Sequence, residues 1–240
     1  DPNYIVAVRC RLGIAVASGG RCQVRPRRGG GVCGKVLAGH ADHCRSCAKA
    51  ARLHHHNSIC DLYAAIHREC GNRAWREVIV PEAKPTKNNQ PIRSDVLVRG
   101  GAMDPKEYGE VKVRHPWSES GELRFAAASG TDAWLAAVEA EVSTKYAPAR
   151  VRPWVFTTLG RPGALVCADL RRLSRQRLTR PDAVQAVSHA SVRQLLLRRW
   201  RTMLSCAGVL GHTAALLDCL EGCAVPGAAV PPGPLRFYEL

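Results

Sequence analysis

Between residues 91 and 115, apolar and polar side chains alternate in two stretches separated by a turn-forming loop. Pro91-Ile-Arg-Ser-Asp95-Val-Leu-Val-Arg99 and Tyr108-Gly-Glu110-Val-Lys112-Val-Arg-His115 both carry the period-two pattern of half-buried strands. Gly100-Gly101-Ala-Met-Asp-Pro105 supplies turn residues between them, so the pair reads as a hairpin with a long loop. Alternation places Glu110 and Lys112 on one face and Val111 and Val113 on the other. Antiparallel pairing then brings Asp95 to the polar face.

The rest of the pattern is helical on both flanks. Over residues 57–71, Ile59, Leu62, Tyr63, Ile66 and Cys70 keep helical spacing, Ser58 is placed to cap with Asp61 as capping-box partner, and Gly71 stops the run. Residues 75–82 read as a strand. Thr131 to Tyr146 reads as a helix with Trp134, Leu135, Val138 and Val142 on one side. Residues 152–160 read as a further strand, closed by Gly160-Arg-Pro-Gly163. Beyond it the chain turns helical, with one helix opening at Pro181-Asp182 and another over residues 207–220. The order helix, three strands, helix, strand predicts an α/β fold, a mixed sheet flanked by helices. The expected organisation is an N-terminal Cys/His segment over 1–56, a core over 57–163, a helical extension over 164–223 and a Pro/Gly-rich tail over 224–240.

Charge narrows the partner class. Thirty-five Lys and Arg against twenty Asp and Glu give a net charge of +15, with Arg predominating. That balance favours phosphate-rich partners, since guanidinium groups bind phosphate bidentately. The apolar runs are too short or interrupted to span a bilayer, so no membrane is expected. No charged start, apolar run and cleavage site suggest secretion. The chain begins without Met and reads as a segment of a longer polyprotein or the end of a pseudogene.

Eleven cysteines in a chain without a secretory signal point to metal rather than disulfides. Cys22, Cys33, His40, His43, Cys44, Cys47 and His54-His55-His56 crowd one segment. Zinc takes four N or S ligands, usually from short turns. His43 with Cys47 and His40 with Cys44 are two registers of equal spacing. His54 and His55 read as exposed, and Cys60 and Cys70 as packing residues.

Asp95, Glu110 and Lys112 on one hairpin face have the chemistry of metal-dependent phosphodiester cleavage. Two carboxylates hold Mg²⁺, and the ammonium orients or deprotonates the attacking water and offsets phosphate charge. Asp-x-many-Glu-x-Lys alone is a weak pattern, equally met by solvated strand residues.

The ordered set is more specific. Cys33…Asp42-His43…Cys47, His56-Asn57, Arg93-Ser94-Asp95 and Glu110-Val111-Lys112 resemble, in that order, the C-terminal region of non-LTR (LINE-like) retrotransposon proteins. There a zinc-knuckle-like segment precedes a PD-(D/E)xK restriction-like endonuclease, and the similarity spans residues 22 to about 160. Ser94 stands where that family usually has Pro, and His55 where an Arg often precedes His-Asn. Neither change removes a metal ligand.

The resemblance implies a restriction-endonuclease-like core behind a small zinc module. It selects Cys22, Cys33, His43 and Cys47 for structural Zn²⁺, and Asp95 and Glu110 for catalytic Mg²⁺, with the Val111 carbonyl as a further ligand. Lys112 would position or activate water. Lys145, from a Lys-Tyr pair similar to one in those nucleases, would support the site, although a cation at a helix C-terminus is also ordinary dipole chemistry. His56-Asn57 would lie nearby in a minor role. The implied function is nicking of target DNA for target-primed reverse transcription, in the nucleus or, before import, with the chain in the cytoplasm. Its partners would be DNA, element RNA and the remainder of the polyprotein. Three other readings stay open: a cellular PD-(D/E)xK repair nuclease or resolvase, a zinc-containing nucleic-acid-binding protein that does not cut, and a decayed element.

Overall fold

The computed structural model describes residues 21–24, 32–36, 43, 49–83, 90–100, 106–115, 130–147, 149, 151–158, 160–180 and 189–220. Its elements are α1 (Lys49–Glu69), β1 (Arg73–Ile79), β2 (Arg93–Arg99), β3 (Lys106–Arg114), α2 (Thr131–Lys145), β4 (Val151–Thr157), α3 (Ala164–Leu178) and α4 (His189–Leu220). The expected α/β order is present. None of the described helices is long and apolar enough to cross a membrane.

The strands lie in the order β1-β2-β3-β4. β1 pairs antiparallel with β2, and β2 with β3, as the hairpin pattern predicts. β3 and β4 are parallel, joined by the crossover that contains α2. The sheet is therefore mixed, with helices on both faces. Val96, Val98, Val111, Trp154 and Phe156 face one core with Ile59, Tyr63 and Ile66 of α1 and Leu170 and Leu173 of α3. Tyr108 and Val151 face the other with Val142 and Tyr146 at the end of α2. The buried row Ser94, Val96, Val98 alternates with the half-exposed Asp95 and Leu97. A side chain at Gly109 would overlap the Trp154 ring, so glycine is what lets the indole lie flat on β3.

Three boundaries differ from the sequence reading. α1 starts at Lys49 rather than near residue 57. Ser58 lies inside it, and its hydroxyl donates to the His54 carbonyl at 2.9 Å, one turn back, instead of capping. Asp61 is drawn off to Arg76. β1 begins earlier, at Arg73, because Gly71 (φ 87°) turns the chain sharply and Ala74 already packs inward. The two C-terminal helices join as one, α4, which continues through Gly208 and Gly211, while the opening expected at Pro181-Asp182 lies outside the described residues.

α4 packs on α1 and belongs to the main core through Leu197, Trp200 and Leu204. The Trp200 indole N–H donates to Glu69 at 3.1 Å, and Arg199 pairs with the same carboxylate at 3.0 Å. Its glycines are contact points. A side chain at Gly211 would overlap His55, and one at Gly208 would meet the backbone of Gly160. His55, expected on the surface, is accordingly buried, while His54 is exposed.

A buried polar knot ties α1, β4 and α3. Asp169 accepts from the Tyr63 hydroxyl at 2.7 Å, and its carboxylate also meets His67 at 3.3 Å, Arg152 at 3.2 Å and Arg172 at 2.5 Å. Burial opposes its ionisation, but contacts with His67, Arg172 and Tyr63 outweigh that and hold its pKa well below the usual carboxylate range.

Candidate active site at the fork of the hairpin

β2 and β3 stay in register from Arg99↔Lys106 to Val96↔Gly109 and then part. One step further would set Asp95 opposite Glu110. There, side chains replace the ladder. The Val111 N–H donates to Asp95 Oδ2 at 2.7 Å, and the Ser94 hydroxyl lies 2.8 Å from the Gly109 carbonyl. Ser94 is buried, so this small hydroxyl closes the backbone groups that the fork opens.

Each face of the sheet sends a helix to the fork. From α1, His56 Nε2 lies 3.2 Å from both Asp95 Oδ2 and the Val111 carbonyl oxygen. Cys60, one turn on, sits 3.7 Å from the other ring nitrogen. From the end of α2, Lys145 Nζ comes within 3.6 Å of Glu110 Oε1 and donates to the Tyr146 hydroxyl at 3.1 Å. Lys112 Nζ donates to the same Glu110 oxygen at 2.6 Å. Glu110 is only 4% exposed, so these partners offset the desolvation of its carboxylate.

The electrostatics follow from burial and these contacts. Burial would raise the Asp95 pKa, but the bond to His56, its charge, the Val111 N–H and Lys112 together hold it below the ordinary value. Burial would conversely lower His56, and hydrogen bonds with Asp95 and Cys60 overcome that to raise it. The Cys60 thiol is pushed up, chiefly by burial, with Asp95's charge adding to it. The Tyr146 phenol is raised by burial and by its hydrogen bond to Glu110. Asp95 is therefore a ready anion, and Tyr146 a neutral donor.

Two residues matter more here than the sequence suggested. His56-Asn57, expected at a helix start, lies within α1, which carries His56 to Asp95. Arg76 is the second, and the sequence pattern alone does not single it out. Its guanidinium donates to the Asp95 carbonyl at 3.1 Å and to the Asn57 carbonyl and side-chain oxygen at 3.2 Å each, binding α1 to β2 behind the site. The available signal was a charge on the inward row of β1, between Ala74 and Val78, where a cation must find acceptors. Glu82 lies exposed in the turn after β1, away from the site, and its charge bears on Tyr108.

Asp95, His56 and Cys60 place one ligand atom each within 4.8 Å of one another. Glu110 stands outside that group, turned to its two lysines and Tyr146. For a hard divalent cation the fitting donors are the oxygens of Asp95, Glu110 and the Val111 carbonyl.

A second donor group lies in the N-terminal part. Arg21 bridges Val36, and the Cys22 N–H donates to the Lys35 carbonyl at 2.9 Å, closing a short hairpin with Gly34 at φ 65°. This turn brings Cys22 and Cys33 together with His43, all within 4.8 Å, with Cys33 Sγ 3.1 Å from His43 Nε2. Two thiols and an imidazole suit zinc. The expected fourth ligand Cys47, like the alternatives His40 and Cys44, lies outside the described residues.

No protein-family model matches this chain, and no curated protein matches it either.

Proposed function

We propose that the chain is a metal-dependent DNA endonuclease with a restriction-like core, of the kind that nicks target DNA for a non-LTR retrotransposon. The observation that carries the reading is the convergence at one forked hairpin of Asp95, held ionised by His56 and the Val111 N–H, with the Glu110–Lys112 pair on the adjoining strand. The α-β-β-β-α-β order, antiparallel hairpin and parallel fourth strand support it.

Asp95, Glu110 and the Val111 carbonyl would hold Mg²⁺. When bound, such a cation withdraws charge from a phosphodiester and makes a coordinated water more acidic. The protein's own groups do the rest. His56 and the Val111 N–H fix the orientation of the Asp95 carboxylate. Lys112, paired with Glu110 at the rim, would orient the attacking water and offset charge on the phosphate. Lys145 adds a second cation at Glu110, and Tyr146 keeps the carboxylate aimed. Cys22, Cys33 and His43 would hold Zn²⁺ in a structural role, with no chemistry of its own.

A second reading has a specific observation in its favour: Glu110 is turned to its lysines and stands outside the Asp95 donor group. On that reading the chain binds nucleic acid without cutting it. Nicking of supercoiled plasmid with Mg²⁺ separates the two. The first predicts nicking by the native chain and none by Asp95→Ala or Lys112→Ala. A folded, DNA-binding chain that leaves plasmid intact, or nicking that survives both substitutions, overturns it.

A further inference from the structure

On the face that Asp95 shares, β1 and β2 form a ribbon whose residues change character level by level. Arg73 lies opposite Arg99, Trp75 opposite Leu97, and Ile79 opposite Arg93. Glu77 lies between Trp75 and Ile79 along the strand, at the level of Asp95 where the register is interrupted. Levels on one face of a strand are roughly 7 Å apart. The three arginines are exposed, and Trp75 is 43% exposed on an edge strand. Its partner Leu97 packs against the second core, while a large part of the indole stays open to solvent.

The order of levels fits one kind of occupant. Arginines at both ends bracket an acidic level where a cation would sit, and an aromatic ring lies one level from it. A nucleic-acid strand laid along the ribbon would put phosphates on the arginines, one phosphate at Asp95, and a base on Trp75. Stacking needs an open π-face, which bases inside a continuous duplex do not offer and an unpaired base does.

We infer that this ribbon binds an unpaired stretch of a nucleic-acid strand, with Trp75 stacking on a base beside the phosphate at Asp95 and Arg73, Arg93 and Arg99 holding its neighbours. The inference rests on the nuclease reading for the phosphate at Asp95 and sharpens it, because the preferred substrate becomes single-stranded, frayed or branched DNA. Trp75 is then a specificity residue outside the metal-binding set.

The test is fluorescence anisotropy in EDTA, which prevents cutting, with labelled oligothymidylate and a blunt duplex of equal length. The native chain should prefer the single strand. Trp75→Ala should weaken that complex about tenfold, the loss of roughly one stacked base, and leave the duplex complex unchanged, while Trp75→Phe retains most of the affinity. Equal loss on both ligands, or no loss on either, overturns the inference. So does a native dimer in sedimentation that Trp75→Ala turns monomeric, which would assign the face to a second copy. Because binding is read without cleavage, the inference can fail while Asp95-dependent nicking stands, and nicking can fail while a Trp75-dependent preference remains.

Discussion

His56 Nε2 on α1 and the Val111 N–H on β3 meet at a single oxygen of Asp95, at 3.2 Å and 2.7 Å. The carboxylate is thus clamped from a helix on one side and a strand on the other, and only its remaining lone pairs are available to a ligand. Replacing His56 leaves the strand contact and removes the helix contact. His56→Ala should slow Mg²⁺-dependent plasmid nicking about 10–100-fold and raise the Mg²⁺ concentration for half-maximal rate. Its circular-dichroism spectrum at the assay temperature should remain that of the folded native chain, so that the loss is read on folded protein. An unchanged rate and Mg²⁺ dependence would deny His56 any part in positioning Asp95.

The buried Asp169 knot makes a stability prediction with a definite pH sign. Asp169→Asn removes a fully buried negative charge from His67, Arg152 and Arg172, and should destabilise the fold by roughly 3–5 kcal/mol at neutral pH. The native pKa is lowered, so this carboxylate's contribution is complete above the ordinary Asp value near pH 4. It is lost as pH falls through the lowered pKa. Urea melts should therefore show a wide gap between native and variant at pH 7 that narrows in strong acid. A gap that is constant with pH would mean that the charge is not what Asp169 contributes.

The Cys22–Cys33–His43 group predicts metal content. The purified chain should carry about one zinc per molecule, released to a chromogenic chelator by thiol modification. Cys33→Ser should abolish it. Of Cys47→Ser and Cys44→Ser, the first should lose zinc and the second keep it, in line with the register that the retrotransposon resemblance selects. Retention of zinc by Cys33→Ser would place any metal elsewhere.

The hairpin was legible because alternation encodes faces directly. Asp95, Glu110 and Lys112 on one side, and Val96, Val111 and Val113 toward a core, follow from a period of two. What the pattern could not show is the fork at Asp95, where a side chain takes over a backbone hydrogen bond. α1 was read eight residues short because residues 49–56 show no apolar periodicity, and Ser58 imitates a cap while it back-bonds to His54. α4 was divided in two because glycines at 208 and 211 ordinarily weaken a helix. Here they admit Gly160 and His55 at close range, and that packing replaces what propensity lacks. α3 was not resolved as a separate helix, since its apolar stripe is narrow and its charges are numerous.

The two borders of the sheet are finished differently. Along β4, the Thr157 N–H donates to Arg161 at 2.8 Å, and the Val155 carbonyl accepts from the Gly163 N–H at the same distance, so a return of the chain seals that border. Pro153 shares their parity, and its missing N–H therefore faces outward, where no ladder bond is lost. Among the described residues no strand pairs with the outer border of β1, yet Glu77 sits there at φ 52°, a twist that breaks the flat template a foreign strand would need. The two borders thus discourage pairing with a foreign strand in different ways, one by its backbone conformation and the other by a covered ladder and a residue without an N–H.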